Sequence, residues 1–199
     1  MRKLINSLVF VTFILTSSNS FSYNSDPKIF IDELVNDAIK ILSDKNISKA
    51  NKNKKIEAIT LENVDINALG MYTLGSIRKT LDQNSLEKYK ILFKKYLLKS
   101  LTSRLTDYSE QRFEVISADQ KSETYTIVSS KILENSSQPE IKINWRVYTK
   151  DPARPLIRDL IVEGLSLAKT QKEEFSSILN SNNNDINILF LKLEKFINN

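Results

Sequence analysis

Residues Arg158 to Leu179 read RDLIVEGLSLAKTQKEEFSSIL. Alternation up to Glu163, a glycine at 164 and then apolar positions at helical spacing describe a strand, a short turn and an amphipathic helix. The strand, Leu156 to Glu163, carries apolar residues of both parities, so both of its faces are expected to be covered. Asp159 and Glu163 share a parity and make the chain's best candidate for an acid pair. Four residues of strand hold them roughly 13 Å apart along the backbone. Carboxylates that flank a glycosidic bond stand about 5–9.5 Å apart. Asp159 is therefore expected to cap or hydrogen-bond backbone near the strand end, and Gly164 to let the chain turn into the helix that closes the sheet. Ser166 follows that glycine without the second glycine of a nucleophile elbow.

Upstream of this stretch the hydrophobic period is two. Arg112–Ala118 and Glu123–Ile132 read as strands, and Ile141–Thr149 most clearly. There Ile141, Ile143, Trp145 and Val147 point one way, and Lys142, Asn144, Arg146 and Tyr148 the other. Asp151 to Pro155 is a turn. Before Arg112 the period is helical. Asp26-Pro27 opens a helix to about Ser43, a weaker one covers Asn53–Asn63, and Asp65 caps a third that holds Ala68, Leu69, Tyr72 and Leu74–Ile77. Asn84 or Ser85 caps the longest, on which Leu86, Tyr89, Phe93, Tyr96, Leu97, Leu101, Leu105 and Tyr108 line one side against a lysine-rich other side. That apolar side reads as core, or as the wall of a ligand cavity. Helices over Thr170–Leu179 and Asp185–Phe196 end the chain, parted by the Asn-rich turn Asn180–Asn184. Four helices, four strands and two helices give an α+β fold: a curved antiparallel four-stranded sheet wrapped by about six helices, which gather largely on one side.

Composition narrows the chemistry. The 199 residues are 41% hydrophobic and 27% charged, with a net charge of +5, an ordinary globular balance. There is no His and no Cys, which excludes the usual zinc sets, thiol nucleophiles, haem and iron–sulfur ligation, His-based triads and disulfides. Three glycines (Gly70, Gly75, Gly164) cannot build a phosphate-cradling loop. The dense basic run Lys49–Lys55, KANKNKK, lacks interleaved aromatics and reads as a polar loop between helices, so no nucleic-acid partner is expected.

The first 22 residues have the pattern of an export signal: Arg2 and Lys3, the apolar run Leu4–Leu15, then small residues with cleavage expected near Ser20 or Ser22. Twelve residues of helix span about 18 Å, short of the ~30 Å hydrocarbon core. Residues 23–199 are then expected to form one exported domain, a monomer.

Two stretches together resemble the MlaC family. Leu160-Ile161-Val162-Glu163-Gly164-Leu165-Ser166-Leu167 followed by Thr170–Phe175 is similar to its C-terminal signature. Asp65, Ala68, Leu69, Tyr72, Leu74 and Gly75, with the aromatic-spaced helix after them, resemble its Leu-Gly turn. Arg78 stands where the family usually has an aromatic, and Pro155 or Leu156 where a Trp commonly starts the strand. The resemblance runs from about Ile29 to Phe196. It implies a fold related to the cone-shaped nuclear transport factor 2 type, enclosing an apolar cavity.

It also implies a function. Members are periplasmic phospholipid-binding proteins, also known as toluene-tolerance auxiliary proteins, and are not enzymes. They shuttle lipid between an outer-membrane lipoprotein–porin complex and an inner-membrane ABC transporter with an MCE-domain ring, which maintains outer-membrane asymmetry. No cofactor is implied; the phospholipid is cargo. Exposing acyl chains to water costs about 0.8 kcal/mol per CH₂, so a carrier needs an apolar pocket. The candidate walls are Leu97, Leu101, Leu105 and Tyr108 on the long helix, with Tyr125, Ile127, Ile143, Trp145, Val147, Leu160 and Val162 on the strands. The head group is expected at the mouth, in water, and no buried charge cluster is expected. The rival reading is an exported α+β enzyme that uses Asp159 as acid or base.

Overall fold

The structure is a computed structural model that describes residues 23–105, 112–134 and 139–199, without the side chains of Arg104 and Leu105. The expected export signal lies outside the described residues, as does Tyr108.

Helix α1 (Pro27–Ser43) starts where Asp26 accepts hydrogen bonds from the backbone N–H groups of Lys28 and Ile29, with Pro27 at the first helical position. Ser48 caps α2 (Lys49–Asn63). The run Lys49–Lys55 is thus its first two turns and not a loop. Lysines and asparagines tolerate a solvated helix face, and the buried Ile56, Ile59, Thr60 and Asn63 anchor the other one. Asp65 caps α3 (Ile66–Thr73) as expected. The segment after it is not a continuation of α3 but a separate 3-10 turn over Gly75–Lys79, because the chain bends at Gly75, whose φ is +66°. In α4 (Gln83–Leu105) the first turn is held by Asp82, not by Asn84 or Ser85: its carboxylate accepts from the Ser85 N–H at 2.8 Å.

The strands are β1 (Phe113–Ser122), β2 (Tyr125–Ile132), β3 (Ile141–Tyr148), β4 (Leu156–Val162) and β5 (Leu165–Ser166), antiparallel in that order. The fifth strand was not expected. Glu163 (φ +48°) and Gly164 (φ +82°) form a two-residue reverse turn that pairs Val162 with Leu165 before α5 (Leu167–Asn180) begins. Helix α6 (Ile186–Asn198) follows a turn in which Asn183 and Asn184 take positive φ.

Among the described residues two hydrophobic cores result. In one, Phe30, Ile31, Leu34, Ile41 and Leu42 of α1 and Ile56 and Ile59 of α2 cover Val128, Trp145, Val147 and Ile157 on one face of the sheet. The other is helical: Leu74, Tyr89, Leu92, Phe93, Phe175, Leu179, Ile186, Leu189, Phe190 and Leu193. Phe93 stacks on Tyr89 at 5.7 Å and meets Phe175 edge-on at 6.4 Å. Helices therefore lie on both sides of the sheet, and not largely on one: α1 and α2 cover the first face, while α3 and α5 meet β4 from the second.

Candidate functional site

Sheet register decides which candidate residues share a surface. Trp145 pairs with Val128 on β2 and Leu160 on β4, and Ile143 with Ser130 and Val162. These residues and Val147 look toward α1 and α2. Tyr125 pairs with Tyr148 and Ile127 with Arg146, so both lie on the opposite face. Leu97 packs in the helical core, and Leu101 is half-buried on α4. Leu105 ends α4, with its side chain outside the described atoms. The candidates thus fall into three places. Five sit on the first sheet face, two on the second, and the helical ones belong to another layer.

Burial along the first face has a direction. Val147 and Val128 are wholly buried, and Trp145 nearly so. Toward the other end of the same face Ile141, Ile143, Ile132, Leu160, Val162 and Phe113 are only half-buried. The indole N–H of Trp145 donates to the Ser130 hydroxyl at 2.8 Å, which itself donates to the Ile143 carbonyl at 3.1 Å. Every polar atom of that cluster is satisfied, so the surface it presents is apolar. Phe113 meets Trp145 edge-on at 6.3 Å. The result is an apolar wall whose deep end is sealed by α1 and α2 and whose other end stays partly accessible.

The second face is polar, and it does carry a partly buried charge cluster, contrary to expectation. A bulge between β3 and β4 leaves Arg158 as an extra residue. Its guanidinium lies over the Tyr148 ring, 3.3 Å from the centroid, and bonds the Asp65 carboxylate through Nε at 2.9 Å and Nη2 at 2.7 Å. Asp65 also accepts from the Ala68 N–H at 3.1 Å. Buried Asp159 accepts from the Ser166 hydroxyl at 2.6 Å and the Ala168 N–H at 3.0 Å, while Ser166 caps α5 through the Lys169 N–H. Both acids fix helix starts, the role expected of Asp159. Glu163 lies past the strand end and accepts from the Lys142 N–H, so it does not join Asp159 in a site. Among the described residues no acid cluster could hold a metal ion. Beside this network lies a hollow of about 450 Å³ lined by Ala68, Leu69, Tyr72, Tyr125, Arg146, Arg158, Asp159 and Ala168. Burial raises the pKa of the Tyr125 phenol there. The charge cluster had a sequence signal in Asp65, Arg146, Arg158 and Asp159, but their meeting depends on the bulge.

These features define an α+β protein whose bulged antiparallel sheet stands between two helical layers. Residues 32–195 match the family described as MlaC protein, and the chain belongs to that family. The phospholipid-binding protein from Ralstonia solanacearum, solved in complex with a phospholipid, has the same fold: the TM-score is 0.70 at 16% identity, over 87% of this chain and 97% of that one. No curated protein matches the chain.

Proposed function

We propose that the chain is a periplasmic phospholipid carrier that moves lipid between an outer-membrane lipoprotein–porin complex and an inner-membrane MCE-domain ABC transporter, and so maintains outer-membrane asymmetry. The observation that carries this reading is the apolar first face, which runs from sealed Val147 to half-buried Ile143 and Val162, with the indole N–H of Trp145 paired to the Ser130 hydroxyl. Membership of the MlaC family and the phospholipid complex of the Ralstonia solanacearum protein support it. Acyl chains would lie against Ile143, Leu160 and Val162 on the sheet. Such a surface makes tail transfer from a bilayer nearly neutral, since the tails exchange one apolar environment for another. No catalytic step is assigned, because Asp65 and Asp159 are both held by helix starts. The basic, apolar and small-residue pattern of the first 22 residues supports export, and no described helix is long and apolar enough to cross a membrane.

The test is transfer of labelled phospholipid from donor vesicles to the purified protein and on to acceptor vesicles. Protein-dependent transfer is expected. A protein that neither takes up nor delivers the label contradicts the carrier reading.

A further inference from the structure

The second sheet face offers a feature that lipid carriage leaves unused. Arg146 lies on β3 opposite in direction to Trp145, and its side chain is 44% exposed at the edge of the 450 Å³ hollow. Its nearest acid is Asp159, with Nε 3.7 Å from Oδ2, too long for a hydrogen bond. Asp159 is already committed to Ser166 and Ala168, and Asp65 to Arg158 and Ala68. Among the described residues Arg146 therefore makes no hydrogen bond with its five N–H donors, and its ion pair with Asp159 is a long one. The hollow shares Tyr72 with a second one of about 480 Å³ along α5, where Lys172 lies over the Tyr72 ring at 5.2 Å and forms no ion pair among the described residues. Lys169, next to it, is paired with Glu173.

We propose that this face is a docking site for a protein segment bearing carboxylate side chains, with Arg146 at its centre and Lys172 at its rim. Three observations carry it. The unused hydrogen-bond donors belong to cations, while the acids nearby already accept hydrogen bonds. Tyr72, 44% exposed, and half-buried Tyr125 line the same hollow as Arg146, and tyrosine with arginine is the composition that concentrates binding energy at protein interfaces. The surface is concave, so single side chains can enter where a flat bilayer cannot follow. A net charge of +5 adds steering toward an acidic partner. Because the face lies across the sheet from the apolar wall, docking leaves that wall open.

The experiment places a photo-crosslinking amino acid at Tyr72 of the full chain in the native host cell and maps the adducts by mass spectrometry. The expected result is a protein adduct at a segment containing Asp or Glu. The double substitution R146E/K172E should lower its yield at least about tenfold, the effect of removing one charge-assisted hydrogen bond, with bound lipid per folded molecule unchanged. Replacing the crosslinked acid by Lys should restore the adduct to R146E. Since a glutamate beside Asp159 can disturb folding, R146Q/K172Q provides a second variant with a smaller loss of yield. Adducts with lipid alone, adducts indifferent to both variants, no adduct, or failure of the charge swap each overturn the proposal. Vesicles of phosphatidylethanolamine and phosphatidylglycerol are the control: binding to them that R146Q/K172Q abolishes assigns the face to a membrane instead.

Discussion

Asp159 on β4 receives the Ser166 hydroxyl at 2.6 Å, which ties the last long strand to the first turn of α5 through a buried carboxylate. The same carboxylate takes the Ala168 N–H, so one side chain fixes both the β4–β5 turn and the helix direction. D159A removes two bonds to a charged acceptor and leaves the Ala168 N–H buried without its partner. The expected cost is about 2–4 kcal/mol, seen as a lower urea midpoint at unchanged slope. Lipid binding per folded molecule should persist, whereas an enzyme with Asp159 as its acid or base would lose its activity first.

The fold was legible where a local signal decides it. Asp26-Pro27 and Asp65 mark helix starts by chemistry that acts within three residues. Alternation in Ile141–Tyr148 assigns faces within one strand. What was not legible depends on neighbours far away in the chain. Tyr125 and Ile127 look as apolar as Ile143, but their face follows from pairing Tyr125 with Tyr148 across a connection whose length does not fix the register. The bulge at Arg158 places Ile157 and Leu160 on one face despite their opposite parity. Lys49–Lys55 is helical because Ser48 caps it and Ile56 and Ile59 anchor it, a tertiary effect that overrides its polar composition.

Gly70 lets α3 approach α4. A Cβ there would stand 2.9 Å from the Phe93 ring, which is wedged between Tyr89 and Phe175 and has no room to yield. Alanine gains about 0.8–1 kcal/mol in helix propensity, but overpacking costs about 1–3 kcal/mol. G70A is expected to lower the melting temperature, and a rise would contradict the close packing of these helices.

Tyr89 is one of three tyrosines that shape the response to alkali, with Tyr23 and Tyr125, whose phenol pKa values burial also raises. Burial raises the Tyr89 pKa above the ordinary tyrosine value, although the Thr73 hydroxyl at 2.9 Å opposes the shift. A raised pKa means that the folded state holds the proton more tightly than the unfolded chain. Its stabilising contribution is complete below about pH 10 and declines as pH rises toward the folded value. Urea midpoints measured from pH 8 to 11 should fall above about pH 10, and Y89F should flatten that fall. A decline equally steep in Y89F contradicts this assignment.

The two ends of the apolar wall should respond differently to charge. Val147 is fully buried beneath α1 and α2, so V147E places an unpaired carboxylate in a dry core and should unfold the chain. Ile143 is half-buried, so I143E should keep a cooperative melt while lipid uptake is lost. Circular dichroism and vesicle uptake on the two variants separate these effects. Equal unfolding of both would mean that the whole face is closed core.

The most direct measurement is mass spectrometry of the organic extract from protein purified out of the native cell envelope without detergent. A phospholipid carrier is expected to yield phospholipid in near-stoichiometric amount, and to refill from liposomes after delipidation. An extract free of phospholipid, together with no uptake from liposomes, would contradict the carrier function.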